Sequence, residues 1–99
     1  MGVEARPILD SVVTVMLADT TLIAVVQGFA QDRLVPSDNQ RLSQQRAEAV
    51  RTYLVLKGVP SRRVTAQGRG SRSLIVADTT DIARVTNRRV EILLQPNAP

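Results

Sequence analysis

The 99-residue sequence contains no cysteine, no histidine and no tryptophan. Without cysteine, the chain cannot form a disulfide, a thiolate nucleophile or a zinc–thiolate site. Without histidine, it lacks the commonest general base and metal ligand, so no Ser-His-Asp or Cys-His catalytic set can be built. Aromatic residues are limited to Phe29 and Tyr53, which leaves no series of rings on which bases could stack.

The acidic residues also argue against catalysis. The nine acids are scattered along the chain, without a close pair at general acid–base spacing. Asp78 and Asp81 are better explained as acids at the start of a short helical turn, where the helix dipole stabilises them. The segment Ser43–Arg46 lacks the lysine of the S-x-x-K motif of acyl-serine enzymes. We therefore expect a binding protein, not an enzyme, with no cofactor and no metal.

Arginine dominates the charge. The net charge is +4, and Lys57 is the only lysine among 13 basic residues. This balance suits an anionic partner such as nucleic acid, a glycan or peptide carboxylates, and it fits equally well a GC-rich genome that favours arginine codons. Seven arginines between Arg62 and Arg89 form a candidate phosphate footprint. No RRM, KH or helix-turn-helix pattern accompanies them, so nucleic-acid binding is a rival interpretation and not the preferred one.

The length fits one domain, which we place at residues 1–99, with its motif-bearing part at about 22–95. The apolar stretch Ile8–Val26 is interrupted by Asp10 and Asp19, which argues against a membrane span. The same stretch also lacks the basic start and the small-residue cleavage site that are expected of a signal peptide.

Hydrophobic periodicity predicts the order helix, strand, helix, strand, strand. Pro7 lies in the first turn of the first helix, and Asp19-Thr20-Thr21 ends it. One face of this helix carries Ile8, Leu9, Val12, Val13, Met16 and Leu17. The apolar stretch Leu22–Phe29 follows as a strand buried on both faces. This order predicts an α/β (α+β) sandwich, in which helices pack on a mixed sheet.

The second helix has two candidate starts after a loop at Leu34–Asp38. Ser37 and Gln40 form a capping-box pattern, whereas Ser43 gives a later start. We prefer Ser43 as the cap, with a turn at residues 37–42.

The rest of the chain is predicted as a helix end followed by two strands. Gly58 stands where a left-handed residue closes a helix. The strands are Arg63–Gln67 and Val90–Gln95. Between them, Gly68-Arg69-Gly70 forms a turn that needs positive φ. Asp78 or Thr79 is expected to cap a short helical turn through Val85.

Four motifs occur in an order that resembles one family. They are GFAQ at Gly28–Gln31, the stretch NQRLSQQRA from Asn39, the Gly68–Gly70 turn, and NRRVEI at Asn87–Ile92. Together they resemble the peptidoglycan-binding OmpA-like domain, which anchors outer-membrane proteins, lipoproteins and flagellar stator subunits to the bacterial cell wall. The resemblance implies a β-α-β-α-β-β mixed sheet with helices packed on it. Only Met1–Arg6 precede the first helix, and they lack a strand pattern. We therefore expect the first strand to be missing or truncated, either in this fragment alone or in the whole protein.

The resemblance also implies a binding site. In the family, the arginine of an LSxxRA motif and the aspartate of a G-x-T-D motif clamp the diaminopimelate residue of a peptidoglycan stem peptide. Arg46 occupies the arginine position, and Gln31, fifteen residues upstream, replaces the aspartate. A planar guanidinium can hold a carboxylate bidentately, whereas glutamine offers the ligand ammonium an uncharged carbonyl. The resemblance also places Asn39 near the ligand, together with one arginine of the Arg88-Arg89 pair, for which Arg89 is our candidate.

Asp32 is next to Gln31 and is a further candidate for the ligand-binding site, since it could swing in to supply the missing charge. Consecutive residues of an extended segment point to opposite sides, so a simple replacement of the aspartate by Asp32 is not expected. Two interpretations follow. In one, the domain binds peptidoglycan non-covalently and anchors an envelope protein to the wall. In the other, it has lost wall binding and serves as a protein–protein assembly module of an envelope, secretion or motility complex.

Both interpretations place the chain in the periplasm of a Gram-negative bacterium. We expect it to be a fragment of a larger exported or membrane-anchored protein, which reaches a membrane only through a segment outside this chain. A missing first strand would also leave an unpaired sheet edge, so we expect a homodimer or a strand-exchanged assembly.

Overall fold

The computed structural model describes residues 5–30, 35–71, 81–85 and 90–97. These residues form helices α1 (Ala5–Ala18) and α2 (Pro36–Leu56), a 3-10 turn (Ser61–Arg63), and strands β1 (Leu22–Gly28), β2 (Val64–Gly68), β3 (Asp81–Val85) and β4 (Val90–Pro96). The strands make one sheet in the order β2-β1-β4-β3. β1 is parallel to β2 and antiparallel to β4, and β3 is antiparallel to β4. Helices on a mixed sheet confirm the predicted fold class.

Both helices pack on the same face of the sheet, where one apolar cluster forms the core. Its members are Leu9, Val12, Val13, Met16, Ala24, Val26, Ala47, Val50, Leu54, Val59, Val64, Val90, Ile92 and Leu94. Because side chains alternate along a strand, Ala24 and Val26 face the helices and Val25 faces away from them. No helix in the described part of the chain is long and apolar enough to cross a membrane.

Only part of the apolar face predicted for α1 is buried. Leu9 and Met16 are 0% exposed, whereas Ile8 is 37% exposed and Leu17 is 49% exposed. At 3.6 residues per turn, Ile8 and Leu17 lie on opposite flanks of the buried stripe. The prediction of a single buried face was therefore wrong for these two residues, because α1 contacts the core along a narrow stripe.

α2 begins earlier than predicted. Its first residue is Pro36, and its N-cap is Val35, which is extended and makes no side-chain cap hydrogen bond. The preferred cap at Ser43, the alternative at Ser37 and a loop reaching Asp38 were therefore wrong. Proline at the first position has the φ that a helix needs and has no N–H to leave unpaired, so this helix starts without a polar cap.

The end of α2 is as predicted. Gly58 has a φ of 112°, and its N–H donates to the Val55 carbonyl at 3.0 Å. The Val59 N–H donates to the Leu54 carbonyl at 3.1 Å. This pair of bonds is the Schellman motif, which satisfies the last carbonyls of a helix and favours glycine at the left-handed position.

The C-terminal half contains a strand that was not predicted from the sequence. Residues 81–85 form β3, which pairs with β4 from Asp81 opposite Leu94 to Val85 opposite Val90. The predicted helical turn through Val85 was therefore wrong, and its proposed caps at positions 78 and 79 lie outside the described residues. Every residue of β3 pairs with a residue of β4. This pairing outweighs the local sequence pattern that predicted the start of a helix, since strand formation depends strongly on context.

A buried arginine ties the end of α1 to the start of β1. Arg63 is 8% exposed. Its Nε donates to the Leu22 carbonyl at 2.9 Å, and its Nη2 donates to the carbonyls of Met16 at 2.9 Å and Asp19 at 2.8 Å. Carbonyls at a helix C-terminus lack intrahelical partners and carry partial negative charge, so the guanidinium both satisfies them and complements the helix dipole.

We predict that Arg63→Met lowers the free energy of unfolding by about 2–4 kcal/mol, because buried carbonyls lose a charged donor. Arg62→Met is the matched control, since Arg62 is the exposed neighbour in the same turn. Urea unfolding of both variants measures the difference. Equal stabilities would contradict the role of Arg63.

A hydrogen bond also joins the two helices. The Tyr53 hydroxyl donates to Asp10 Oδ1 at 2.6 Å. This bond to the carboxylate raises the pKa of Tyr53, because the phenol must give up a favourable donor contact when it ionises.

The raised pKa predicts how this contact depends on pH. A group whose pKa is raised by folding stabilises the folded state below its unfolded pKa, here about 10, and the stabilisation is lost as the pH rises through the folded pKa. We expect Tyr53→Phe to lower Tm near pH 8, and the difference from the wild type to shrink above about pH 10. Thermal melts across this range test it. A difference that stays constant would show that the bond does not titrate.

Candidate functional site

The candidate site lies where β1 and β2 end, beside the first turns of α2. The strands are parallel, and their last residues, Gly28 and Gly68, are paired. Pairing continues beyond the strands, because the Arg69 N–H donates to the Gly28 carbonyl at 2.9 Å and the Ala30 N–H donates to the Gly70 carbonyl at 2.8 Å. The Gly68–Gly70 turn and the residues that follow β1 therefore form one continuous stretch of paired backbone at this end of the sheet, which we call the edge.

α2 crosses this edge in direct contact with its backbone. A Cβ on Gly28 would overlap the backbone carbonyl oxygen of Ser43, and a Cβ on Gly68 would lie 2.6 Å from the backbone nitrogen of Gln44. Gly70 has a φ of 59°. The positive φ predicted for this turn is confirmed at Gly70, whereas Gly68 is required for the close approach of the helix.

Two glutamines of α2 bind the backbone of this edge. Gln40 Nε2 donates to the Gly68 carbonyl at 2.6 Å. Gln44 accepts the Gly68 N–H through Oε1 at 2.6 Å and donates from Nε2 to the Ala66 carbonyl at 3.3 Å. Both polar groups of Gly68 are thereby satisfied by side chains of the helix.

Ser43 lies between these glutamines and is 0% exposed. Its hydroxyl accepts the Gly70 N–H at 2.8 Å and donates to the Gln40 carbonyl at 2.7 Å. Ser43 is therefore a contact to the Gly68–Gly70 turn and not a helix cap. The sequence did contain a signal for this contact. The spacing of Gln40, Ser43 and Gln44 puts three polar side chains on one face of a continuous helix.

Arg46 lies on the next turn of α2 and is half-buried. Its Nη1 donates to the Phe29 carbonyl at 2.8 Å. The guanidinium is thus held at the end of β1, two residues before Gln31. Asn39 lies in the first turn of α2, is 7% exposed, and shares a face of the helix with Arg46 because seven residues make almost two turns.

The structure therefore places two of the predicted site residues, Arg46 and Asn39, at this end of the molecule. The other three, Gln31, Asp32 and Arg89, lie outside the described residues.

The structure also bears on the rival nucleic-acid interpretation. Arg63, one of the seven arginines behind it, donates three hydrogen bonds to backbone carbonyls and is buried. Arg51 is used in the same way, since its Nε donates to the Val64 carbonyl at 2.9 Å and its Nη2 donates to the Ser61 carbonyl at 3.1 Å. Part of the basic charge therefore stabilises the fold and does not face a phosphate.

Comparison with known proteins identifies the family. The model of the OmpA family matches residues 3–88. The chain belongs to the OmpA family. It is 41% identical over 69 residues to outer membrane protein A of Yersinia pseudotuberculosis, which covers 70% of this chain and 20% of that protein. The chain spans less than half the length of the curated relatives that it matches.

Solved structures share the fold. The peptidoglycan-associated lipoprotein from Burkholderia pseudomallei has a TM-score of 0.78 at 24% identity, over 96% of this chain and 80% of that chain. The cell wall anchor of the T6SS from Pseudomonas aeruginosa has a TM-score of 0.68 at 26% identity, over 97% of this chain and 69% of that chain. These findings confirm the predicted family and fold class, and they show that the relatives are proteins of the bacterial envelope.

The close approach of α2 predicts a strong effect of Gly28→Ala. We expect this variant to lose about 1–3 kcal/mol of unfolding free energy, because the new methyl group would overlap a backbone carbonyl that cannot move aside. Thr65→Ala, at an exposed position on the neighbouring strand, should change the stability by no more than about 0.5 kcal/mol. Chemical denaturation compares the two. A fully stable Gly28→Ala protein would contradict the close approach.

Proposed function

We propose that this domain binds the stem peptide of peptidoglycan non-covalently and anchors a larger envelope protein to the cell wall. Family membership supports this function, because one solved relative is named a cell wall anchor and another is named peptidoglycan-associated. We place the domain in the periplasm of a Gram-negative bacterium, as a binding module without catalytic activity.

The contact between Arg46 and the end of β1 carries the proposal. The Phe29 carbonyl holds Nη1 at 2.8 Å, so the guanidinium is fixed beside the end of β1. In the sequence, Phe29 is two residues before Gln31, the position that the family uses for the second ligand contact. A side chain that is already held loses less conformational entropy when a ligand binds. In the proposed complex, the planar guanidinium takes a carboxylate of diaminopimelate, and Asn39, Asp32 and Arg89 line the same site.

Gln31 sets the expected strength of binding. Its amide oxygen accepts a hydrogen bond from the ligand ammonium but provides no negative charge. Hydrogen bonds to charged groups contribute about 1.5–3 kcal/mol, so an uncharged partner corresponds to binding weaker by roughly ten- to a hundredfold. We therefore propose weak binding to the wall for the wild-type domain.

The proposal predicts that Gln31→Asp strengthens binding of a diaminopimelate-containing stem peptide by about 1–3 kcal/mol, because it restores a carboxylate opposite the ammonium. Arg46→Ala should abolish this gain, since the ligand carboxylate loses its bidentate partner. Calorimetry on the wild type, the two single variants and the double variant measures the coupling between the two positions.

Arg62→Ala is the matched control, because it removes the same charge from an exposed residue. Arg62 lies in the 3-10 turn just before β2, at the opposite end of the sheet from Gly28 and Gly68. Its affinity should equal that of the wild type. If Gln31→Asp binds no better than the wild type and Arg46→Ala changes nothing, the site does not bind the wall.

The replacement of the aspartate by Gln31 favours a second candidate function, that of an assembly module in an envelope complex. Such a module would bind another protein or a second copy of this chain. Sedimentation at high protein concentration tests the second of these partners, since a clean monomer would contradict the homodimer. A steep loss of DNA binding with added salt, without any binding of the stem peptide, would favour the nucleic-acid rival.

A further inference from the structure

We infer that Ser43 is a positioning residue of this site, which acts through Gly70 on the segment Phe29–Ala30. The inference rests on the proposed function, because it concerns the affinity of the same site. Ser43 itself is 0% exposed and lies beneath the Gly68–Gly70 turn.

Gly70 connects α2 to the end of β1. Its N–H donates to Ser43 Oγ at 2.8 Å in a buried hydrogen bond, and its carbonyl accepts the Ala30 N–H at 2.8 Å. Gly70 is thus bound to α2 through its N–H and to Ala30, just after β1, through its carbonyl. Ala30 is 3% exposed, so this connection is shielded from water along its length.

Ser43 and Arg46 both bind the region formed by Phe29, Ala30 and Gly70, which we call the corner. They are three residues apart and therefore lie on one face of α2. Arg46 contacts the corner directly through the Phe29 carbonyl, and Ser43 contacts it indirectly through Gly70. The position of the Phe29 carbonyl, on which the orientation of the guanidinium depends, is therefore determined by both residues.

The Ser43 hydroxyl is itself oriented. It donates to the Gln40 carbonyl at 2.7 Å, which directs a lone pair of the oxygen at the Gly70 N–H. This back-bond to the preceding turn has no benefit for an isolated helix. Here the Ser43 hydroxyl has an acceptor for its proton, and the Gly70 N–H has an acceptor in the same hydroxyl oxygen. Alanine would leave the Gly70 N–H buried without its acceptor, so the turn would relax and release Ala30.

The test compares Ser43→Ala with Val50→Ala, in the wild type and in the Gln31→Asp background. Val50 is 3% exposed on the same helix, lies in the core and makes no hydrogen bond to the turn, so it controls for loss of stability alone. Calorimetry uses the diaminopimelate-containing stem peptide, at a temperature where thermal melts show all variants folded. We expect Ser43→Ala to bind roughly two- to tenfold more weakly, the factor that corresponds to one hydrogen bond, and Val50→Ala to bind as its parent does.

Amide hydrogen exchange gives a readout that needs no ligand. Ser43→Ala should speed exchange at Ala30 and Gly70 by about tenfold or more relative to the Val26 amide, because it opens the corner locally. Val50→Ala should change the exchange of all three amides in proportion to global stability.

The outcomes separate the two proposals. If the stem peptide binds neither the wild type nor Gln31→Asp, the proposed function fails, and hydrogen exchange still decides whether Ser43 controls the corner. If the peptide binds and Ser43→Ala keeps the affinity of its parent, the inference about Ser43 is overturned. Unchanged exchange at Ala30 in Ser43→Ala would overturn it as well.

Discussion

The site depends on the direct contact between the backbone of α2 and two glycines, Gly28 and Gly68. A side chain at either position would enter the space of the helix backbone. Because the helix lies this close, short polar side chains such as Ser43 can reach the backbone of the turn after β2. The same proximity lets Arg46 reach the Phe29 carbonyl. One steric requirement thus determines the local pairing, the hydrogen bonds and the position of the candidate ligand-binding residue.

Arginines serve different purposes at the two ends of the sheet. At the end where β1 starts, Arg63 is enclosed by three backbone carbonyls and stabilises the junction of α1 and β1. At the end where β1 finishes, Arg46 donates to the Phe29 carbonyl and is half-buried. A guanidinium offers five donors in a fixed geometry, so either use is chemically suitable. Net charge alone therefore does not show which arginine meets a ligand.

The features that could be predicted from the sequence are those set by local chemistry. A continuous apolar stretch predicted β1, and alternating apolar residues predicted β4. Gly58 predicted the end of α2, because only glycine adopts its conformation without strain. The motif around Arg46 led to the correct family. The failures have two causes. The strand β3 and the burial of Arg63 depend on contacts with distant parts of the chain, which no short window of sequence contains. The start of α2 at Pro36 follows a local signal, proline at the first helical position, which was passed over in favour of the serine caps.

Ser43 illustrates the same limit within the site. A serine followed by a helical pattern is usually a cap, but this one lies inside α2 and binds a glycine 27 residues away. Its role follows from the close approach of helix and turn, and that approach becomes visible only once Gly28 and Gly68 are placed together at the end of the sheet.

Binding at this end of the sheet is tested most directly by a titration of the isotopically labelled wild-type domain with a diaminopimelate-containing stem peptide, followed by NMR. If the end of β1 and α2 bind the peptide, the Arg46 side-chain Nε–H and the amides of Phe29, Ala30 and Asn39 should show saturable shifts. The amide of Arg63, at the opposite end of the sheet, should not shift. No shifts at all, or shifts concentrated around Arg63, would contradict the claim that the end of β1 and α2 form a site for the cell wall.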